Sequence, residues 1–360
     1  MSTAQAEKAN GWRTSLVRTV SSQQSILVIT IVVLFIIFSS TNRAFSSVDF
    51  VLFPLIRDTA VITIVGLAQL AVLSLGHLNL AVGRMAAVAA MAAGYCYEVL
   101  HAPLWIGLIA GLAVGALIGA ITGLIIVASG VNSFIVTLAM DFALLGFVTF
   151  IYTSFTKAAA FTVQPEGMDV WRMGSFGDLC VGGICGPPVL PIMIVPALIA
   201  MLVVGYLFKY ARIGREILAT GSNLKAAQLS GIGVNKRIIF AHALSGLLAG
   251  FAGVMLGFVN GSFSAAIGKE FLLPSFLAPI LGGTSLFGGA VAVFGTFLGA
   301  LLTLLIRQGL IVQGFGLETL NIALGVILLF ALAVGQIRKG SFTIRRKRIM
   351  PKRLTGKAAR

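Results

Sequence analysis

Long apolar runs alternate along the chain with short breaks rich in Gly, Pro or charge. A helix that crosses a bilayer needs about 20 mostly apolar residues. Measured against that length, the runs predict spans near 25–40, 58–76, 84–99, 104–127, 133–153, 189–208, 237–259, 270–283, 289–311 and 319–336. The expected fold class is all-α: a polytopic membrane protein of about ten transmembrane helices. Residues 1–24 precede a transmembrane domain over 25–336, in which 154–188 and 209–237 are the longest polar segments, and 337–360 form a tail. The first run, Ser25 to Ser40, follows a polar stretch and is not followed by a small-residue cleavage site, so it reads as a signal anchor.

Composition agrees with the pattern. Hydrophobic residues make up 58% of the chain and charged residues 10%, with a mean hydropathy of +1.02, whereas a soluble domain carries about 25% charge. The net charge of +15 points to membrane sidedness and not to nucleic acid, because the basic residues are clustered. Three of the 26 lie in 1–22, six in 209–237 and ten in 337–360. Six crossings and then four more put all three stretches on one side, which the positive-inside rule makes the cytoplasm. Asp49, Glu98, Glu166, Asp169 and Asp178 then fall outside or beside the outer ends, and 154–188 becomes an external cap or re-entrant loop.

An internal repeat appears at an offset of 206 residues. Leu75-Gly76-His77-Leu78-Asn79-Leu80-Ala81-Val82-Gly83 shares the pattern L-G-x-x-x-L-x-x-G with Leu281-Gly282-Gly283-Thr284-Ser285-Leu286-Phe287-Gly288-Gly289. Small residues follow each copy, and paired Gly-rich interruptions in two halves of a membrane protein mark broken helices beside a transport pathway.

Motifs for catalysis are missing from the sequence. The nearest approach to a phosphate-binding loop, Gly231 to Arg237, lacks its spacing and its Ser/Thr. His77, His101 and His242 are far apart, and neither HExxH nor CxxC occurs, so no metal site is expected. The most informative polar segment is 209–237. Within it Ser222 is expected to cap a short helix through Leu224, Ala227 and Gln228, ended by Gly231 in a left-handed turn. Such a helix, stranded between spans, is suited to docking in a partner's groove.

The stretch G-R-E-I-L-A-T-G-S-N-L-K-A-A-Q-L-S-G-I, Gly214 to Ile232, resembles the cytoplasmic coupling loop of ribose/xylose/arabinose-type permeases of ATP-binding-cassette importers. The likeness continues through Asn132–Leu138, Leu244–Gly250 and, most specifically, the L-G-G-T-S-L-x-G-G block at Leu281–Gly289, and covers most of 50–337. The resemblance implies a bacterial inner-membrane permease with both termini cytoplasmic. It also implies a homodimeric or heterodimeric channel, a separate cytoplasmic ATPase holding ATP and Mg, and a periplasmic sugar-binding protein, with no cofactor on this chain. Gly214, Arg215, Glu216, Ser222, Asn223, Ala226, Ala227 and Gly231 would then couple to the ATPase. One departure stands out: where the family shows D-L-S-V-G, this chain has Asn79-Leu80-Ala81-Val82-Gly83.

A polyol needs a hydrogen-bonding path through hydrocarbon, and broken helices expose backbone groups that can line one. His77, Asn79, Asn132, Ser133, Thr137, Thr284 and Ser285 lie on or beside the breaks, as pathway residues or as hydrogen bonds between helices. Among charges within spans, Arg84 and Asp141 are placed to form an ion pair, read as structural in preference to a substrate contact or a proton relay. Arg57, Asp58 and Arg307 are expected to snorkel at span ends, and His242 to be structural. Cys180 and Cys185 form a disulfide in the external segment or remain free thiols, and the basic tail either holds anionic lipid or serves as a disordered topology signal. A nucleoside or branched-chain amino-acid permease and an ion-coupled secondary transporter are the competing readings.

Overall fold

The computed structural model describes residues 23–155, 160–178, 180–181, 184–185, 189–316 and 318–329. The chain before residue 23, the end of the last expected span and the basic tail lie outside these residues. Two units are distinguished, Met1–Gly316 and Leu317–Arg360; in the second, the helix α13 (Glu318–Leu329) is described.

In the first unit, α1 (Gln23–Thr41) leads through a 3-10 turn and a π turn into α2 (Phe53–Leu73). Ser47 accepts from the Phe50 amide to cap the π turn, and Pro54 stands in the first turn of α2, where its missing N–H costs nothing. From Thr59 to Leu73 every residue of α2 is buried, so α2 is the central post of the unit. Its hydroxyls are satisfied within the helix: Thr59 donates to Leu55 O at 2.6 Å and Thr63 to Thr59 O at 2.7 Å.

Around it stand α3 (Val82–Glu98), α4 (Leu104–Ser129), α5 (Ser133–Phe155), α7 (Ile194–Lys209), α10 (Val234–Asn260), α11 (Leu272–Leu281) and α12 (Val293–Val312). Between α7 and α10 lie α8 (Arg212–Ser222) and α9 (Leu224–Leu229). The expected outer segment contains the short α6 (Met168–Met173) and strand β1 (Ala160–Phe161), which pairs antiparallel with β4 (Phe263–Ser264). It also contains a small hairpin, β2 (Cys180–Val181) with β3 (Ile184–Cys185). Cys180 and Cys185 are opposite one another in that hairpin, and their sulfurs lie outside the described side chains. Glu98 accepts from the Thr162 amide at 2.7 Å, and the Tyr152 hydroxyl donates to Phe263 O, which ties the cap to α3 and α5.

Without water to drive apolar groups together, helices in lipid associate by close packing of small residues. Here α4 carries Gly107, Gly111, Gly115, Gly119 and Gly123, one on each successive turn of the same face. A Cβ at Gly115 would lie 2.4 Å from Gly246 O, and one at Gly119 2.2 Å from His242 O, so the α4 and α10 backbones touch.

Among the described residues, six helices are long and apolar enough to cross a membrane, or seven if the α7–α8 pair, bent by 68°, is one span. Each of the ten expected runs contains a helix, but the lengths do not yield ten full crossings among the described residues. The reason lies in the breaks. Residues 74–81 fold back beside α2, and the 261–271 segment reaches inward until Gly268 meets Gly83 at the start of α3. α3 and α11 therefore have 17 and 10 residues.

Candidate functional site

Both copies of the repeated block fall on helix breaks, 74–81 between α2 and α3 and 282–292 between α11 and α12. The first break is held by Gln69 of α2. With its amide in the orientation its neighbours require, Gln69 donates to Asn79 O at 3.0 Å and accepts from Asn79 N at 3.2 Å. The Asn79 side chain accepts from Ala81 N at 3.0 Å, turning the chain into α3, and donates to the Ser245 hydroxyl of α10 at 3.0 Å. On the other side Leu78 N donates to Ser133 Oγ at 3.2 Å, while Thr137 Oγ1 lies 3.3 Å from Leu78 O and 2.8 Å from Ser133 O. His77 Nδ1 and His242 Nε2 are 3.2 Å apart, within hydrogen-bond distance. His242 is fully buried, and its Nδ1 has no hydrogen-bond partner among the described residues.

His77, Asn79, Ser133 and Thr137 are thus brought into one polar cluster, to which Gln69, His242 and Ser245 also belong. Asn132 stands apart: it is exposed, and its side chain accepts from Phe134 N at 2.9 Å at the start of α5. Thr284 and Ser285 shape the second break, Thr284 accepting from Ala292 N at 3.1 Å and Ser285 from Phe287 N at 3.2 Å. Arg84 and Asp141 lie beside the cluster and pair at 3.6 Å, joining α3 to α5. Arg57 pairs with Asp58 at 3.3 Å and Arg307 with Glu270 at 2.7 Å, so these arginines are bound to carboxylates as well as placed near helix ends. No three of His, Cys, Asp and Glu are grouped to hold a metal among the described residues.

The two breaks meet. Gly289 N donates to Ser74 O at 2.9 Å, and a Cβ at Gly76 would lie 3.1 Å from Phe287 C. Into the same junction runs the end of α8, where a Cβ at Gly221 would lie 2.0 Å from Ser74 O and 2.9 Å from Gly289 N. α8 is set by a tight elbow, since a Cβ at Gly214 would come within 2.0 Å of Leu207 O on α7. Glu216 then fixes it sideways, accepting from Arg212 at 2.7 Å and from Arg237 of α10 at 2.6 Å. The hydrogen bond from Arg212, with that from Arg237 and against some desolvation, holds the Glu216 carboxyl below the usual glutamate range. Arg215 donates to Tyr210 O at 2.7 Å across the elbow.

The short helix α9 is present, but its cap is Asn223 and not Ser222. Asn223 Oδ1 accepts from Ala226 N at 3.0 Å, whereas Ser222 is the last residue of α8 and donates back to Leu218 O at 2.9 Å. Ala227 is the buried residue of α9, and Gly231, at φ +77, supplies the left-handed turn beyond it.

A polar cluster at one broken helix, a second break hydrogen-bonded to the first and a cantilevered helix touching both have the arrangement of a membrane transporter. The family model described as the permease component of branched-chain amino acid transport systems matches residues 51–332. The chain belongs to this permease family. It is 34% identical over 314 residues to the ribose import permease protein RbsC of Escherichia coli, covering 85% of this chain and 91% of that protein. The Haemophilus influenzae ribose import permease is 34% identical over 282 residues, 76% of this chain and 81% of its own. The fructose import permease protein FrcC of Rhizobium meliloti is 28% identical over 286 residues, 79% and 78% respectively. No solved structure is significantly similar to the chain. As a permease it is a transport subunit, built of several membrane-spanning helices.

Neither Gln69 nor Gly221 is singled out by the apolar pattern or by the repeat. Gln69 stands out only as an amide inside an apolar run, which does not say what it meets, and nothing in the spacing of Gly221 signals that it reaches two distant loops.

Proposed function

We propose that this permease carries a monosaccharide or related polyol across the bacterial inner membrane by alternating access, driven by a separate ATP-binding-cassette ATPase. The sugar class is supported by the ribose and fructose import relatives and by the neutral amide and hydroxyl groups, Asn79, Ser133, Thr137 and Ser245, at the first break. The observation that carries the mechanism is the seat of Gly221 against Ser74 and Gly289. A helix in contact with both breaks can transmit a push from a cytoplasmic partner to the place where the helices are interrupted.

In this reading 209–237 and both termini face the cytoplasm, where the ATPase binds ATP and Mg and engages α8 and α9. Gly214, Arg215 and Glu216 set the angle of α8. Ser222, Asn223, Ala226, Ala227 and Gly231 shape the tip the ATPase grips. A periplasmic sugar-binding protein docks on the opposite side, a second copy of this chain completes a homodimeric channel, and lipid covers the remaining apolar faces. His77, Asn79, Ser133 and Thr137 form the inner polar gate, with Thr284 and Ser285 on the facing break and Asn132 at its cytoplasmic rim.

Co-purification from the native membrane followed by uptake into proteoliposomes tests this. The expected result is a stoichiometric ATPase and ATP-dependent accumulation of radiolabelled D-ribose or D-fructose. Accumulation of leucine in their place would move the substrate to branched-chain amino acids. Sugar uptake by the chain alone on an ion gradient would overturn the ATPase coupling.

A further inference from the structure

At the end of α2 away from its break, a cavity of about 490 Å³ opens between α2, α10, α12 and the 261–271 segment. That volume lies within the range of about 300–1,000 Å³ typical of small-molecule sites. From Leu55 to Ile62 its wall follows two turns of α2, roughly 10 Å of depth.

Its chemistry is mixed in a particular way. Three cations, Arg57, Lys269 and Arg307, alternate with the carboxylates of Asp58 and Glu270, and the amides of Asn260 and Gln308 stand among them. An anionic solute would face two carboxylates and a cationic one three bases. A neutral polyol fits both sets, because each hydroxyl donates one hydrogen bond and accepts others. The buried side chains of Val61, Leu304 and Phe271 offer apolar surface for the C–H faces of a sugar ring.

The cavity also leads somewhere. Gly268 lines it, and a Cβ there would lie 2.3 Å from Gly83 O, just as one on Gly83 would lie 2.2 Å from Gly268 O. Gly83 closes the first repeated block, a turn along the chain from Asn79. A backbone-to-backbone contact thus joins the wall of this cavity to the start of α3, beside the polar break.

We infer that the cavity is an outer sugar-receiving vestibule, which takes the polyol before it reaches the break and has the Gly83–Gly268 contact as its floor. This rests on the sugar-import reading above. It assigns a substrate-contacting role to Asn260 and Gln308, which carry no charge and can recognise hydroxyls without disturbing the two ion pairs.

The test uses the complete importer, with its ATPase and binding protein, in proteoliposomes supplied with radiolabelled D-ribose and D-fructose. Gln308→Leu and Asn260→Leu are expected to lower ribose uptake about tenfold, mainly through a higher KM, and Gln308→Asn to restore part of it. Leucine variants that transport within about twofold of the parent would overturn the vestibule and leave the import reading standing. A parent importer that accumulates neither sugar would overturn both. Should the leucine variants not assemble, Gln308→Cys labelled by a membrane-impermeant maleimide decides, measured against the parent's own cysteines. Labelling slowed by ribose with its binding protein supports the site, and an unchanged rate overturns it.

Discussion

The amide of Gly289 donates to the carbonyl of Ser74 at 2.9 Å, which ties the second repeated block to the chain just before the first. Two segments about two hundred residues apart thereby become one structural junction. Gly221 closes the third side, and only a residue without a Cβ fits there. The junction packs the two breaks and the end of α8 against one another.

Gly221→Val should therefore uncouple the permease. The added side chain meets Ser74 O and Gly289 N and pushes α8 off the breaks, an overpacking cost of about 1–3 kcal/mol. Sugar uptake is expected to fall below about a tenth of the parent's while the protein still inserts, as read by transport and by yield from membranes.

Packing of α4 on α10 predicts a contrast between two glycines. Gly119→Leu places a side chain against the His242 carbonyl and should lower the melting temperature or prevent folding, whereas Gly146→Ala on α5 adds a methyl where no atom beyond its own helical backbone lies within 4 Å. The second variant should match or slightly exceed the parent, since Ala favours helix over Gly by about 1 kcal/mol. Thermal unfolding in detergent distinguishes them; equal melting of both variants would count against the packing.

The Arg84–Asp141 pair predicts a double-mutant cycle. Removal of one partner leaves a charge in low dielectric, so Arg84→Met should destabilise by up to about 3 kcal/mol and Arg84→Met/Asp141→Leu should recover most of it. Additive losses in thermal unfolding would show that the two do not interact.

Glu216 predicts an acid dependence. Because Arg212 and Arg237 make it ionise more readily folded than unfolded, its contribution to stability is complete above the usual glutamate value of 4.5. It is lost as the pH falls through the lowered folded value. The melting temperature of the parent should exceed that of Glu216→Gln by a constant margin from neutral pH down to about pH 5, and the margin should close in stronger acid. A margin that widens in acid would contradict the assignment.

Membrane class, the positions of the apolar runs, the repeat and the Arg84–Asp141 pair were legible in the sequence, because each is written as local composition or as charge where charge is costly. The number of full crossings was not. An apolar run looks the same whether it spans or stops halfway, and what shortens α3 and α11 is the inward reach of 74–81 and 261–271. Of the polar cluster, His77, Asn79, Ser133 and Thr137 were recognisable from their place beside a break. Gln69 and Ser245 were not, since their roles depend on which face of a neighbouring helix they meet. The cap falls on Asn223, one residue beyond the expected Ser222, because Ser and Asn are both good caps and the two are adjacent.

The most direct test of the account locks the end of α8 to the second break. Ser222 and Ala290 are exposed and near one another, a Cβ at the neighbouring Gly289 lying 3.1 Å from Ser222 Cβ. Ser222→Cys/Ala290→Cys, joined by a short bismaleimide in the assembled importer, should stop ATP-driven sugar uptake, while each single variant treated alike continues to transport. Uptake by the cross-linked double variant at the rate of the single variants would contradict the claim that α8 works the breaks by moving against them.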